Sequence, residues 1–107
     1  MDLPSAKRPL TATEIVASLA HLDGWHLDGD GAELAIKKTF TFADFAATMA
    51  FVNALAFIAQ SRNHHPQLRL NNRHCTVRWH THDVGGITRM DLESAARVDG
   101  MLAALTA

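Results

Sequence analysis

The chain has 107 residues, 48% hydrophobic and 20% charged, enough for one domain whose core needs no staple. Its net charge is −1, so no electrostatic attraction to nucleic acid or to an anionic membrane is expected. The single cysteine, Cys75, excludes an internal disulfide and fits a reducing compartment such as the cytoplasm.

Residues 1–10 contain Pro4 and Pro9 and have no period, so they read as a flexible arm before a single domain over 11–107. Met1-Asp2-Leu3-Pro4-Ser5 has no apolar run behind a basic start, and a secretory signal is not expected. Thr11 and Glu14 have capping-box spacing, and Ile15, Val16, Leu19, Ala20 and Leu22 share one side of a helix. The spacing predicts that helix over 12–22, ended by Gly24. Residues 25–28 read as a short strand, 29–31 as a turn and 33–41 as the second strand of a hairpin. Leu34, Ile36, Lys38 and Phe40 share one face of it, with Lys38 the exception in an apolar set.

Thr41 and Asp44 resemble another helix start, and the segment that follows is apolar nearly all round. A membrane span is disfavoured, because Asp44, Thr48 and Asn53 interrupt the segment and no basic cluster flanks it. We expect a helix over 42–59, one side on the sheet and the other against a second copy of the chain. Pro66 stops helical continuation and puts His64 and His65 at a helix-to-strand junction. Residues 67–70 read as a third strand, Asn71-Asn72 as a turn and 74–81 as a fourth strand. There Cys75, Val77, Trp79 and Thr81 face the core, while His74, Thr76, Arg78 and His80 face away. After a Val84-Gly85-Gly86 loop, Thr88 and Asp91 open a last helix with capping-box-like spacing. The order α-β-β-α-β-β-α predicts an α+β fold: a four-stranded antiparallel sheet with three helices packed on one face.

Five of the seven histidines fall between His64 and His82. Imidazole exchanges protons near neutral pH, so this cluster points to proton transfer or metal binding. His80 and His82 share a strand face and form a possible metal pair, but zinc needs three or four ligands. Cys75 points the other way, so no metal is expected. His82, beside the glycine loop, is better placed for a pocket; His80 reads as a solvated strand residue. Asp91 has two readings: a first-turn acid favoured by the helix N-terminus, or a carboxylate that orients the imidazole of His82. Trp25 reads as a core residue or a ligand contact.

N-H-H-P at 63–66, T-H-D at 81–83, G-G-I-T at 85–88 and Asp91, with G-W at 24–25 and F-T-F-A-D-F at 40–45, resembles the pterin-4a-carbinolamine dehydratases. The resemblance runs from the first helix to the end of the chain. It implies a cytoplasmic lyase that removes water from 4a-hydroxytetrahydropterin, the product of pterin-dependent aromatic amino-acid hydroxylases, to give quinonoid dihydropterin. It implies no metal and no cofactor, the pterin being substrate. It implies catalysis by His64, His65 and His82, with His64 and His82 as acid and base and His65 mainly orienting the pterin. Trp25, Pro66, Thr81 and Asp91 would complete the pocket or its support. It also implies a homodimer or homotetramer, and helix 42–59 is the surface for it. The chain departs from the pattern at Gln60, Leu68, Asn72 and Met90, where several relatives carry a charged residue, a tryptophan, an aromatic and an arginine. The competing reading is a non-catalytic oligomeric module that binds pterin or a protein partner.

Overall fold

A computed structural model describes residues 7–106. Residues 1–6 of the predicted arm lie outside the described residues. From Lys7 onward the chain is tied down: Leu10 N–H donates to the Ile87 carbonyl at 2.9 Å, and Lys7 reaches Asp83 at 3.4 Å.

Helix α1 spans Ala12–Leu19 and carries the predicted capping box: the Thr11 hydroxyl accepts from Glu14 N–H, and the Glu14 carboxylate accepts from Thr11 N–H. It stops three residues short of the predicted end. His21 N–H and Leu22 N–H turn back to the Ser18 and Leu19 carbonyls, tightening the chain out of the α-helix.

The Arg8 guanidinium grips Glu14 at 2.8 Å and, with the Thr11 backbone bond, holds its carboxyl down to about 2 from 4.5. A depressed acid gives stability that is full above 4.5 and lost as pH falls through about 2. Wild type is therefore expected to exceed Glu14→Gln in denaturant midpoint near neutral pH, the gap closing across that acid window. Equal midpoints near neutral pH would contradict this.

Strands β1 (His26–Asp28), β2 (Ala35–Thr41), β3 (Gln67–Asn71) and β4 (His74–Trp79) form one antiparallel sheet in the order β1-β2-β4-β3. β2 begins at Ala35 rather than at 33 because Gly31–Glu33 forms one turn of 3₁₀ helix. The turn needs glycine at Gly29, where φ is +79° and an added Cβ would sit 2.8 Å from the Glu33 carbonyl.

The register Ile36↔Trp79, Lys38↔Val77 and Phe40↔Cys75 lines these residues up on one face. Ile15 of α1, Phe51, Leu55 and Ala59 of α2 (Phe45–Arg62) and Ala95 and Val98 of α3 (Arg89–Thr106) close over that face as one core. Each large side chain buried this way contributes about 1.5–3 kcal/mol. Lys38 sits on the apolar face without penalty. Its ammonium lies 4.9 Å from the Phe40 ring and 3.0 Å from Asp99, whose other oxygen accepts from Trp25 Nε1–H at 2.9 Å.

Asp44 caps α2 by accepting from Ala47 N–H at 2.8 Å. Thr48, Phe51, Leu55 and Ala59 make its buried stripe, while Phe45 and Phe57 are 52% and 79% exposed. Among the described residues no helix is long and apolar enough to cross a membrane.

Candidate active site

The site begins where α2 ends. Asn63 adopts the left-handed conformation (φ 49°, ψ 43°), so that its N–H bonds Gln60 O and the His64 N–H bonds Ala59 O. This Schellman closure reverses the chain and turns His64 inward. Pro66 then holds the next segment extended into β3. Asn63→Gly is therefore expected to unfold like wild type, whereas Asn63→Val loses about 1–2 kcal/mol in denaturant titration. Equal stability of the two variants would contradict the cap.

His64 is buried, its ring stacked on Trp79 with centroids 5.4 Å apart and planes 14° from parallel. Its Nε2 meets Asp91 Oδ1 at 2.6 Å. Asp91 is completely buried, and its Oδ2 accepts from the Thr81 hydroxyl at 2.7 Å and from Thr88 N–H at 2.9 Å. The Thr81 and Thr88 hydroxyls are 2.8 Å apart. Asp91 stands in the first turn of α3, where the helix field favours a carboxylate. The first-turn reading of Asp91 agrees with its place in α3, while the imidazole it meets is His64 and not His82. Thr81 faces inward toward Asp91, and its neighbour His82 is exposed.

A carboxylate only accepts, so the Nε2 that faces Asp91 is the donor of this bond. Among the described residues the side-chain hydrogen bond of His64 is made by Nε2, and none is made by Nδ1. The arrangement presents one oriented imidazole nitrogen, backed by a buried anion.

The description "Pterin 4 alpha carbinolamine dehydratase" belongs to the family model that matches residues 8–101. A Paracidovorax citrulli (strain AAC00-1) protein with the provisional name pterin-4-alpha-carbinolamine dehydratase is 56% identical over 99 residues, 92% of this chain and 85% of that protein. The chain belongs to the pterin-4α-carbinolamine dehydratase family. A Brucella melitensis transcriptional coactivator/pterin dehydratase superposes with TM-score 0.81 at 29% identity, over 87% of this chain and 97% of that one. A pterin dehydratase-like protein described as a RuBisCO assembly factor in the alpha-carboxysome superposes with TM-score 0.62 at 26% identity, over 75% and 90%.

Of the residues that the family resemblance singles out, His64, Thr81 and Asp91 come together in one network. His65 is exposed beside His64, and Pro66 is half-buried. His82 is exposed and opens a turn of 3₁₀ helix over His82–Val84, which Gly85 closes at φ +61°. Trp25 is placed elsewhere. It is buried against Phe40, and its indole N–H goes to Asp99, eight residues along α3 from Asp91 or about 12 Å at the helical rise.

His80 is not a solvated strand residue. It is half-buried, its Nδ1–H donates to the Leu34 carbonyl at 3.2 Å, and its ring meets His82 edge-on at 6.0 Å. The strand end is covered there by the turn from β1 to β2, which alternation of side chains cannot reveal. Sequence reading also took Thr88 only as a helix cap and Trp79 only as core. Nothing local in the sequence marks Thr88 as a partner of Thr81 or Trp79 as the ring stacked on His64. Burial pushes the Cys75 thiol up, which keeps it protonated and unreactive.

Proposed function

We propose that this chain catalyses dehydration of 4a-hydroxytetrahydropterin to quinonoid dihydropterin. Membership of the dehydratase family supports the substrate, and the Asp91-backed imidazole of His64 is the observation that carries the chemistry. The 4a-hydroxyl leaves as water once protonated, the N5 lone pair forms the new double bond, and the N5 proton is then removed. One acid and one base suffice, and such catalysis is worth about 10²–10⁴-fold. His64 and His82 are the acid and base. His65 and Pro66 bind and orient the pterin. Thr81 and Asp91 act from beneath, through His64, while Trp25, bonded to Asp99, serves the core. The chemistry asks for no cofactor. An aromatic amino-acid hydroxylase in the cytoplasm is the natural supplier of the carbinolamine.

A homo-oligomer through α2, which runs over Phe45–Arg62 rather than the expected 42–59, accompanies this reading. Exposed Phe45 and Phe57 are the observation in its favour, since a second copy would remove them from water. The exposed apolar side chains of α2 also support the competing reading, a non-catalytic assembly module, as does likeness to a neighbour described as an assembly factor. Stopped-flow ultraviolet absorbance separates the two. Carbinolamine decay faster with this chain than in buffer is expected; a folded oligomer with the buffer rate would leave the module.

A further inference from the structure

We infer that Trp79 is the positioning residue for His64, and that Nδ1 is the nitrogen through which His64 exchanges its proton with the substrate. The inference rests on the dehydratase reading and adds to it a residue and an atom. The bond from Nε2 to Asp91 at 2.6 Å fixes one end of the imidazole. A ring held by one bond can still swing about that bond, carrying the opposite nitrogen through an arc. The indole of Trp79 removes this freedom, because the two rings lie 14° from parallel with centroids 5.4 Å apart. Trp79 cannot yield: it is fully buried, on a strand in the middle of the sheet, paired across to Ile36. The backbone of His64 is pinned as well, by its N–H to Ala59 O at 3.1 Å. Bond, stack and backbone together leave Nδ1 as the ring atom that is both unpaired and fixed in direction.

A tryptophan that merely fills the core predicts something else, namely a loss of stability with no mark on the chemistry. Three variants and one spectrum separate the two. In ¹⁵N-labelled wild type, two-bond ring correlations are expected to show His64 as the Nε2–H tautomer. In Trp79→Leu, which keeps an apolar side chain, the His64 ring signals are expected to average and kcat to fall about tenfold or more, as misplacement of a reacting group does. KM stays near the wild-type value, since the pterin contacts are untouched. Trp79→Phe restores an aromatic face and most of the rate. Trp79→Met serves as the non-aromatic variant if Trp79→Leu does not fold. A folded Trp79→Leu or Trp79→Met with wild-type kcat and unchanged ring signals overturns the inference, as does an Nδ1–H tautomer in wild type. A wild-type chain that fails to accelerate dehydration sinks the dehydratase reading instead, and the ring spectra still decide whether Trp79 orients His64.

Discussion

Asp91→Asn is expected to lower the dehydration rate by about 10²–10⁴-fold in a protein that remains folded. The amide keeps one oxygen, which can still accept from Thr88 N–H and the Thr81 hydroxyl. Its NH₂ then faces Nε2 of His64, where the wild-type carboxylate oxygen sits at 2.6 Å. Two donors cannot face each other, so the ring proton moves to Nδ1 and the lone pair is lost from the working nitrogen. Asp91→Ala goes further. It strips the acceptor from the buried His64 ring, the Thr81 hydroxyl and the N–H and hydroxyl of Thr88 at once, and a loss of about 3–5 kcal/mol is expected in urea titration. Steady-state rates and tautomer-resolved imidazole spectra of Asp91→Asn check the first part. A wild-type rate in Asp91→Asn would mean that the buried pair holds α3 to the α2–β3 junction and has no part in proton transfer.

The second large effect separates the two sides of α2. Phe51 and Phe57 are the same residue type on the same helix, 1% and 79% exposed. Phe51 lies between Phe40 and Phe42, with ring centroids at 4.8 and 5.0 Å, and ties α2 to the sheet. Phe51→Ala is expected to cost about 3–5 kcal/mol, through lost burial and the cavity left behind. Phe57→Ala removes nothing from the core of one chain. Its expected effect is on association: the sedimentation coefficient falls toward that of the monomer, and the unfolding midpoint becomes less dependent on concentration. A Phe57→Ala variant with unchanged sedimentation would show that this face of α2 is not where copies of the chain meet. Strand β3 offers a control, since it is exposed along its whole length and leaves its outer edge unpaired.

Much of this architecture was legible because it rests on short-range rules. Alternation in 74–81 predicts the buried set Cys75, Val77 and Trp79, and the Thr11–Glu14 spacing marks the first helix start, whereas the Thr41–Asp44 spacing points to a start at 42 and α2 opens at Phe45 with Asp44 itself as the cap. The N-H-H-P and T-H-D motifs located the histidines. What was not legible depends on long-range contacts. A helix apolar on every side does not say that Phe51 is inside and Phe57 outside. Lys38 looks like an error in its strand until Asp99 and the aromatic rings around it are in place, 61 residues away in the case of Asp99. The left-handed turn at Asn63 is not visible in the sequence, because asparagine before two histidines reads equally well as helix or loop. Asp91 was assigned to His82 because the two are close in sequence. Its actual partner, His64, arrives from 27 residues away because Asn63 turns it inward. His80 looks solvated from its strand alone for the same reason: its covering carbonyl, at Leu34, is 46 residues distant.

The most direct test of the central claim compares wild type with the His64→Ala/His82→Ala double variant in stopped-flow dehydration of 4a-hydroxytetrahydropterin, with circular dichroism to confirm the fold of each. Rapid turnover by wild type that collapses toward the buffer rate in the folded double variant is the predicted result. Turnover that survives loss of both imidazoles would contradict histidine acid–base catalysis at this site.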